Sequence, residues 1–221
     1  VLVALQEQAI CEFVANLFIN NMTAKLDFGT VFGKSIFQPY SLFGDLAKSD
    51  KNYYFGWMYC LGFSFMYSLT ALLLYLRGWQ PVVTPTLTLP VEKYYLYQTF
   101  FTIPVSIFAL GLGTVLAYWF SHLFGSETKL IEFWGPVCVA SVIPSLFTMW
   151  IPETFFIPFL EPPKPLQPPY DLIRIITGSV WTFILIIIAV KHISGMNWFH
   201  SVTTGIITAG CIGSIMAYFF R

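Results

Sequence analysis

Residues 183–190 read Phe-Ile-Leu-Ile-Ile-Ile-Ala-Val without one polar side chain, inside an apolar stretch that covers residues 172–191. That length matches the ~20 residues an α-helix needs to cross about 30 Å of hydrocarbon. Residues 53–77, 95–124, 133–159 and 198–220 repeat the feature. An unpaired peptide group is costly in lipid, so each stretch must close its own backbone hydrogen bonds as a helix. The expected fold class is all-α: a polytopic membrane protein with five transmembrane helices over residues 51–221, preceded by N-terminal interfacial amphipathic helices in residues 1–50. Composition agrees. Of 221 residues, 57% are hydrophobic and 10% charged, with a mean hydropathy of +0.70, against roughly 25% charged in soluble domains. So few charges cannot coat a soluble particle of this size.

Local punctuation sets the ends. The first span stops at Arg77-Gly78, the second before Gly125, and the fourth at Lys191-His192 with Gly195 beyond, residue types that helix C-termini favour. The second stretch is long enough to tilt or to extend past the lipid. The third contains Pro136, Pro144, Pro152 and Pro158, each without an N–H, so it is expected to kink or break, with its membrane part over residues 133–151. Only Ser194-Gly195-Met196-Asn197 separates the fourth and fifth spans, which makes them antiparallel neighbours. Tyr53, Trp57, Tyr75, Trp79, Tyr94, Trp134 and Trp198 fall at predicted ends, where amphipathic rings settle at headgroup level.

In residues 1–22, Gln8, Glu12, Asn16 and Asn20 recur every fourth position and draw one polar stripe on an otherwise apolar helix. Such a helix suits the membrane interface or a partner helix, with a sixth span as the alternative. From residue 28 to 46, short apolar groups broken by Gly29, Gly33, Pro39 and Gly44 read as short interfacial helices. The first residue is Val1, which leaves room for a longer arm or a signal ahead of it. Cys11, Cys60, Cys138 and Cys211 sit far apart in apolar surroundings and act as small hydrophobes; neither a disulfide framework nor a CxxC metal site is suggested. The Asn21-Met22-Thr23 sequon carries little weight on the cytoplasmic side.

Eleven acidic and eleven basic residues give no net charge, which argues against nucleic acid as a partner. With the N-terminus inside, Lys25, Lys34, Lys48, Lys51, Lys129 and Lys191 face the cytoplasm, against Arg77, Lys93, Lys164, Arg174 and Arg221 outside. The positive-inside rule then favours a cytoplasmic N-terminus and an external C-terminus.

Three spans carry small residues at every fourth position: Gly56, Cys60, Ser64 and Ser68; Ala109, Gly113, Ala117 and Ser121; and Ser201, Gly205, Ala209, Gly213 and Ala217. In lipid no hydrophobic force pairs helices, so close van der Waals approach along such faces holds them together. On this pattern Gly213→Leu is expected to weaken folding or assembly. The candidate functional polar residues are Glu92, Glu153 and His192. Glu153 follows the proline-rich span in Trp150-Ile151-Pro152-Glu153, while Glu92 and Asp171 sit where an acid complements a helix dipole. His122, His192 and His200 fall near one set of ends without HxxxH spacing, so dipole or interfacial roles are expected rather than a metal site. The motifs GxSxG, GxGxxG, HExxH and the P-loop are absent, and no span centre holds an ionisable residue. No catalytic residue, metal or cofactor is expected.

The string Pro90-Val91-Glu92-Lys93-Tyr94-Tyr95-Leu96-Tyr97-Gln98-Thr99-Phe100-Phe101, then Ile151-Pro152-Glu153, and a final hairpin with Val180-Trp181 and Ala189-Val190-Lys191-His192-Ile193-Ser194-Gly195 resemble prokaryotic members of the Yip family of five-span membrane proteins. The resemblance runs from about residue 37 to the C-terminus. It implies a cytoplasmic N-terminal region, a five-helix domain and a bacterial inner-membrane setting. Eukaryotic relatives are linked to Rab-type GTPases and vesicle traffic; this chain lacks their DLYGP-like string and long polar arm, which puts GTPase binding in doubt. The function expected is a non-catalytic membrane scaffold or accessory subunit whose partners are the bilayer and other membrane proteins or itself. The alternative is a transporter or channel component using the proline-broken third span and Glu153. A membrane enzyme acting on lipid head groups through Glu92, Glu153 and His192 stands third.

Overall fold

The computed structural model describes residues 26–81, 87, 89–156 and 170–220, those at 170 and 171 by backbone alone. The polar stripe of residues 1–22, Cys11, the Asn21 sequon, Lys25, Glu161, Lys164, the Asp171 side chain, Arg221 and residues 157–159 of the third expected span lie outside the described residues.

The chain divides into two units, residues 1–32 and 33–221. In the first, Asp27 Oδ1 accepts from the Thr30 N–H at 2.7 Å and opens helix α1 (Phe28–Phe37). In the second, α2 (Pro39–Ala47) begins on proline, buries Leu42, Phe43 and Leu46, and is tied by Asp45 to Lys34 at 2.7 Å. α2 packs against the fourth span. Residues 33–50 fall in the same compact unit as the bundle.

Five long helices follow. They are α3 (Asn52–Leu76), α4 (Tyr94–Leu123) entered through the 3-10 turn Val91–Lys93, α5 (Leu130–Ser145), α6 (Tyr170–Ser194) and α7 (Trp198–Phe219). Turns of π-helix at Leu146–Trp150 and Pro152–Phe156 prolong α5. All five are long and apolar enough to cross a membrane, and no described residue is in a strand. This is an all-α, multi-pass membrane protein.

The helix ends follow from single residues. Gly78 and Gly125 take φ of +72° and +86°, a region where a side chain would be strained. The reversal lets the Trp79 N–H reach Leu74 O at 3.0 Å and the Ser126 N–H reach Ser121 O at 2.9 Å, the bonding that closes a Schellman cap. Between α6 and α7 the turn contains Gly195, and Asn197 Oδ1 caps α7 by accepting from the His200 N–H at 2.9 Å. At the start of α5, Glu132 Oε2 accepts from the Lys129 N–H at 3.3 Å.

Around the bundle, α3 touches α4, α4 touches α7, α7 touches α6, α6 touches α5 and α5 touches α3; α5 also reaches α4. It is the most enclosed span, with 67% of its apolar window buried against 28% for α6 and for α7. The proline-rich span neither breaks nor runs straight. Gly56 lies against Gly135 near its start, and Thr70 Oγ1 meets Thr154 Oγ1 at 2.7 Å near its end, so nineteen residues of α5 cover what fourteen of α3 cover. At 1.5 Å per residue the mismatch is roughly 7 Å. The π turns absorb it: the Ile151 N–H reaches back five residues to Leu146 O, and Pro152 has no N–H to return to residue 148.

Small residues set how closely the spans approach. A side chain at Gly56 would enter the Trp134 indole, one at Gly113 would come within 2.5 Å of Ile212 Cδ1, and one at Gly205 within 2.5 Å of Ile187 Cγ1. Cys60, Ser64, Ser68, Ala109, Ala117, Ser121, Ser201 and Ala209 are buried as well. Gly213 and Ala217 differ. Both are exposed, and among the described residues a Cβ on Gly213 meets nothing within 4 Å. Successive residues turn 100° about a helix axis, so a four-residue repeat drifts about 40° per step and has rotated about 120° by its fourth member. On α7, whose neighbours are α4 and α6, that drift carries Gly213 outward.

Hydroxyls inside the spans mostly bond to the carbonyl four residues back, as Ser64 to Cys60, Thr102 to Gln98, Thr114 to Leu110 and Ser141 to Val137. They are thereby satisfied within their own helix. Outward faces carry Phe65 and Leu69 on α3, Phe108 and Trp119 on α4, Ile173 and Ile176 on α6, and Ile206 on α7. So continuous an apolar surface requires lipid.

Candidate functional site: a charge pair where the spans converge

At the end of the bundle formed by the C-terminus of α3 and the N-terminus of α6, Glu153 uses both carboxylate oxygens. Oε1 accepts from Arg174 Nη1 at 2.8 Å, and Oε2 accepts a short hydrogen bond from the Tyr67 hydroxyl. The Glu153 and Arg174 side chains are only 14% and 16% exposed. Tyr67 stands nine residues before the end of α3, about 13 Å inside it.

The neighbouring residues complete a closed layer. Phe220, just past α7, meets the Tyr67 ring at 5.5 Å, and Phe101 of α4 lies 6.3 Å from Phe220. Next to Glu153, Thr154 bonds to Thr70, and Ser68 Oγ donates to Thr99 O of α4 at 2.5 Å. All five spans thus contribute to one polar and aromatic layer, with Glu153 carried on the second π turn. Widened turns re-aim side chains, and here one points an acid from α5 toward both α3 and α6.

The sequence reading singled out Glu153 and set Arg174 beside the outer acids as an external cation, without pairing the two. Opposite charges on consecutive spans, each a few residues from the same end, were the available signal. The other two candidates lie elsewhere. Glu92 is exposed on the 3-10 turn before α4. His192 is eighteen residues along α6 from Arg174, about 27 Å away at the other end, where it packs edge-on to Tyr40 of α2 at 4.1 Å. Glu153 and His192 therefore do not share a reaction centre.

That second end is held by its own bonds. Asn52 Nδ2 donates to Glu132 O at 2.6 Å, Thr128 Oγ1 to Ile193 O at 3.0 Å and Ser126 Oγ to Ser194 O at 3.2 Å. The histidines go to separate neighbours. His122 Nε2 is 3.1 Å from Thr128 O, and His200 stacks on Phe124 at 4.2 Å. No group of three His, Cys, Asp or Glu among the described residues is placed to hold a metal ion. The close approaches at Gly135, where a side chain would strike Asn52, and at Gly178, where it would strike Thr148, were not anticipated, because each partner lies on a different span.

Chemically, the two oxygens of the Glu153 carboxylate each hold a donor from another helix. That arrangement fixes α3, α5 and α6 to one another. No family model, curated protein or solved structure matches this chain.

Proposed function

We propose that the protein is a non-catalytic scaffold or accessory subunit of a membrane assembly, Yip-like in its arrangement, seated in a bacterial inner membrane with its N-terminus cytoplasmic and its C-terminus outside. The observation that supports it best is the contrast between interior and periphery. Inside, the Glu153 carboxylate accepts from Tyr67 and Arg174 and so joins three spans. Outside, α6 and α7 bury only 28% of their apolar windows within the bundle, which leaves surface available to other spans or to a second copy. Packing faces are what a scaffold needs; a poised acid is what an enzyme needs.

Purification in mild detergent from the native membrane, followed by identification of co-purifying proteins, tests the reading. Stoichiometric membrane partners or a stable homo-oligomer support it. A monomer that accumulates ions or solutes in liposomes overturns it.

One observation favours a second reading. Interrupted helices with a charged residue at the interruption mark transporter sites, and Glu153 sits on the π turn that Pro152 opens. In a transporter component the Glu153–Arg174 pair would open and close during the cycle. Substrate flux abolished by Glu153→Gln while the protein stays folded would select this reading over the scaffold.

A further inference from the structure

α3 and α5 run side by side from the Asn52 end of the bundle to the Glu153 end, and small residues let their backbones meet. A Cβ built on Gly56 would lie 3.0 Å from Gly135 Cα. Cys60 stands one turn further along α3, and Cys138 three residues beyond Gly135 on α5, so both side chains enter the next layer of the same seam. There the two thiols hydrogen-bond to one another. Both cysteines are free, and both are 0% exposed. Disulfides join residues whose Cα atoms lie about 4.4–6.8 Å apart. Thiols already in hydrogen-bond contact, on spans that touch one turn away, meet that demand by side-chain rotation rather than by a shift of either helix. Sequence spacing gives no sign of the pair, because its members lie on different spans. A thiol's reactivity depends on access as well as on its chemistry. Complete burial shields this pair from charged or bulky thiol reagents and leaves a small uncharged oxidant as the kind that can enter its layer.

We propose that Cys60 and Cys138 are a modification site: a small peroxide converts them to a reversible disulfide that locks α3 to α5. One thiol attacks hydrogen peroxide, becomes a sulfenic acid and releases a water; the second sulfur then displaces the sulfenic hydroxyl, which leaves with the second thiol's proton as another water while the S–S bond forms. Two thiols lose two electrons and two protons, and one peroxide becomes two waters. The seam is already tied by Asn52 to Glu132 O at one end and by Tyr67 to Glu153 at the other, so the new bond fixes a register that is present before oxidation. Cross-linking also removes freedom from the unfolded chain, which makes the oxidised form the more stable one. The lock serves a scaffold and a transporter component alike.

The test treats the full chain in bilayers with hydrogen peroxide, denatures it, alkylates the remaining thiols and maps the peptides by mass spectrometry. Of the four cysteines, wild type is expected to lose Cys60 and Cys138 together, as one cross-linked peptide pair lighter by two hydrogens. Cys60→Ser and Cys138→Ser are each expected to abolish that pair. Oxidised glutathione, charged and bulky, should give less than about one-tenth of the cross-link that peroxide gives in the same time. Oxidised wild type should melt about 5 °C above the reduced protein, prolonged dithiothreitol should restore the reduced value, and each serine variant should melt alike before and after peroxide. Sulfinic or sulfonic acid at either cysteine in place of the cross-link, or both thiols still free in treated wild type, overturns the site. A cross-link without a rise in melting overturns the lock, and equal cross-linking by oxidised glutathione overturns the small-peroxide route.

Discussion

Replacing Glu153 by Gln removes one charge and keeps the side chain's shape. The Gln oxygen can still accept from Tyr67, but the charge attraction between Glu153 and Arg174, 16% exposed, is lost. Two unit charges about 4 Å apart attract by about 4 kcal/mol at an effective dielectric constant of 20. Desolvation of both partners offsets part of that attraction, which leaves a cost of roughly 3 kcal/mol for removing one member of the pair. Unfolding titrations in mixed detergent should therefore show Glu153→Gln and Arg174→Gln each destabilised by about 3 kcal/mol. The double variant, in which the shared interaction can be lost only once, should lose at least about 1.5 kcal/mol less than the sum of the two. Additive losses, or a Glu153→Gln cost under about 0.5 kcal/mol, would refute the reasoning that this pair fastens α5 to α6.

Gly113→Leu, driven into Ile212, should cost about 1–3 kcal/mol or block folding, while Gly213→Leu, which meets nothing within 4 Å, should stay within about 0.5 kcal/mol of wild type in the same titration. Asn52→Ala deletes the bond from α3 to Glu132 O and should cost about 1 kcal/mol, with faster hydrogen exchange at the start of α5. The Thr30 backbone N–H holds the exposed Asp27 carboxyl below its ordinary value. Its cap on α1 is therefore fully present above the ordinary carboxylate range and lost as pH falls through the lowered value. Exchange at the Thr30 amide, corrected for intrinsic rate, should accelerate in that acid window, and Asp27→Asn should remove the pH dependence.

The spans were legible because lipid imposes one demand on every residue of a crossing helix, and a long apolar run satisfies it visibly. Their ends were legible where one residue does the work: Gly78, Gly125 and Asn197 terminate or start helices through their own backbone or side-chain chemistry. Legibility failed where the cause lies on another helix. Nothing in the local sequence joins Glu153 to Tyr67, 86 residues away, and nothing near Gly135 names Asn52 as the atom it must clear. The four-residue pattern on α7 does not keep to one face inside the bundle: by Gly213 a period of four has outrun the 3.6-residue turn, and the residue looks outward. Proline content predicted that α5 would deviate from straight; that the deviation would be two π turns aiming an acid inward depends on the register of α5 against α3.

Membrane threading itself is open to direct measurement. In sealed, oriented vesicles and a background lacking the native cysteines, single cysteines at the exposed positions Asp50, Glu127, Gln80 and Glu92 can be probed with an impermeant maleimide. Asp50→Cys and Glu127→Cys should label from one face, and Gln80→Cys and Glu92→Cys from the other only. Labelling of all four from a single face would contradict a chain that crosses the bilayer with α3 and α4.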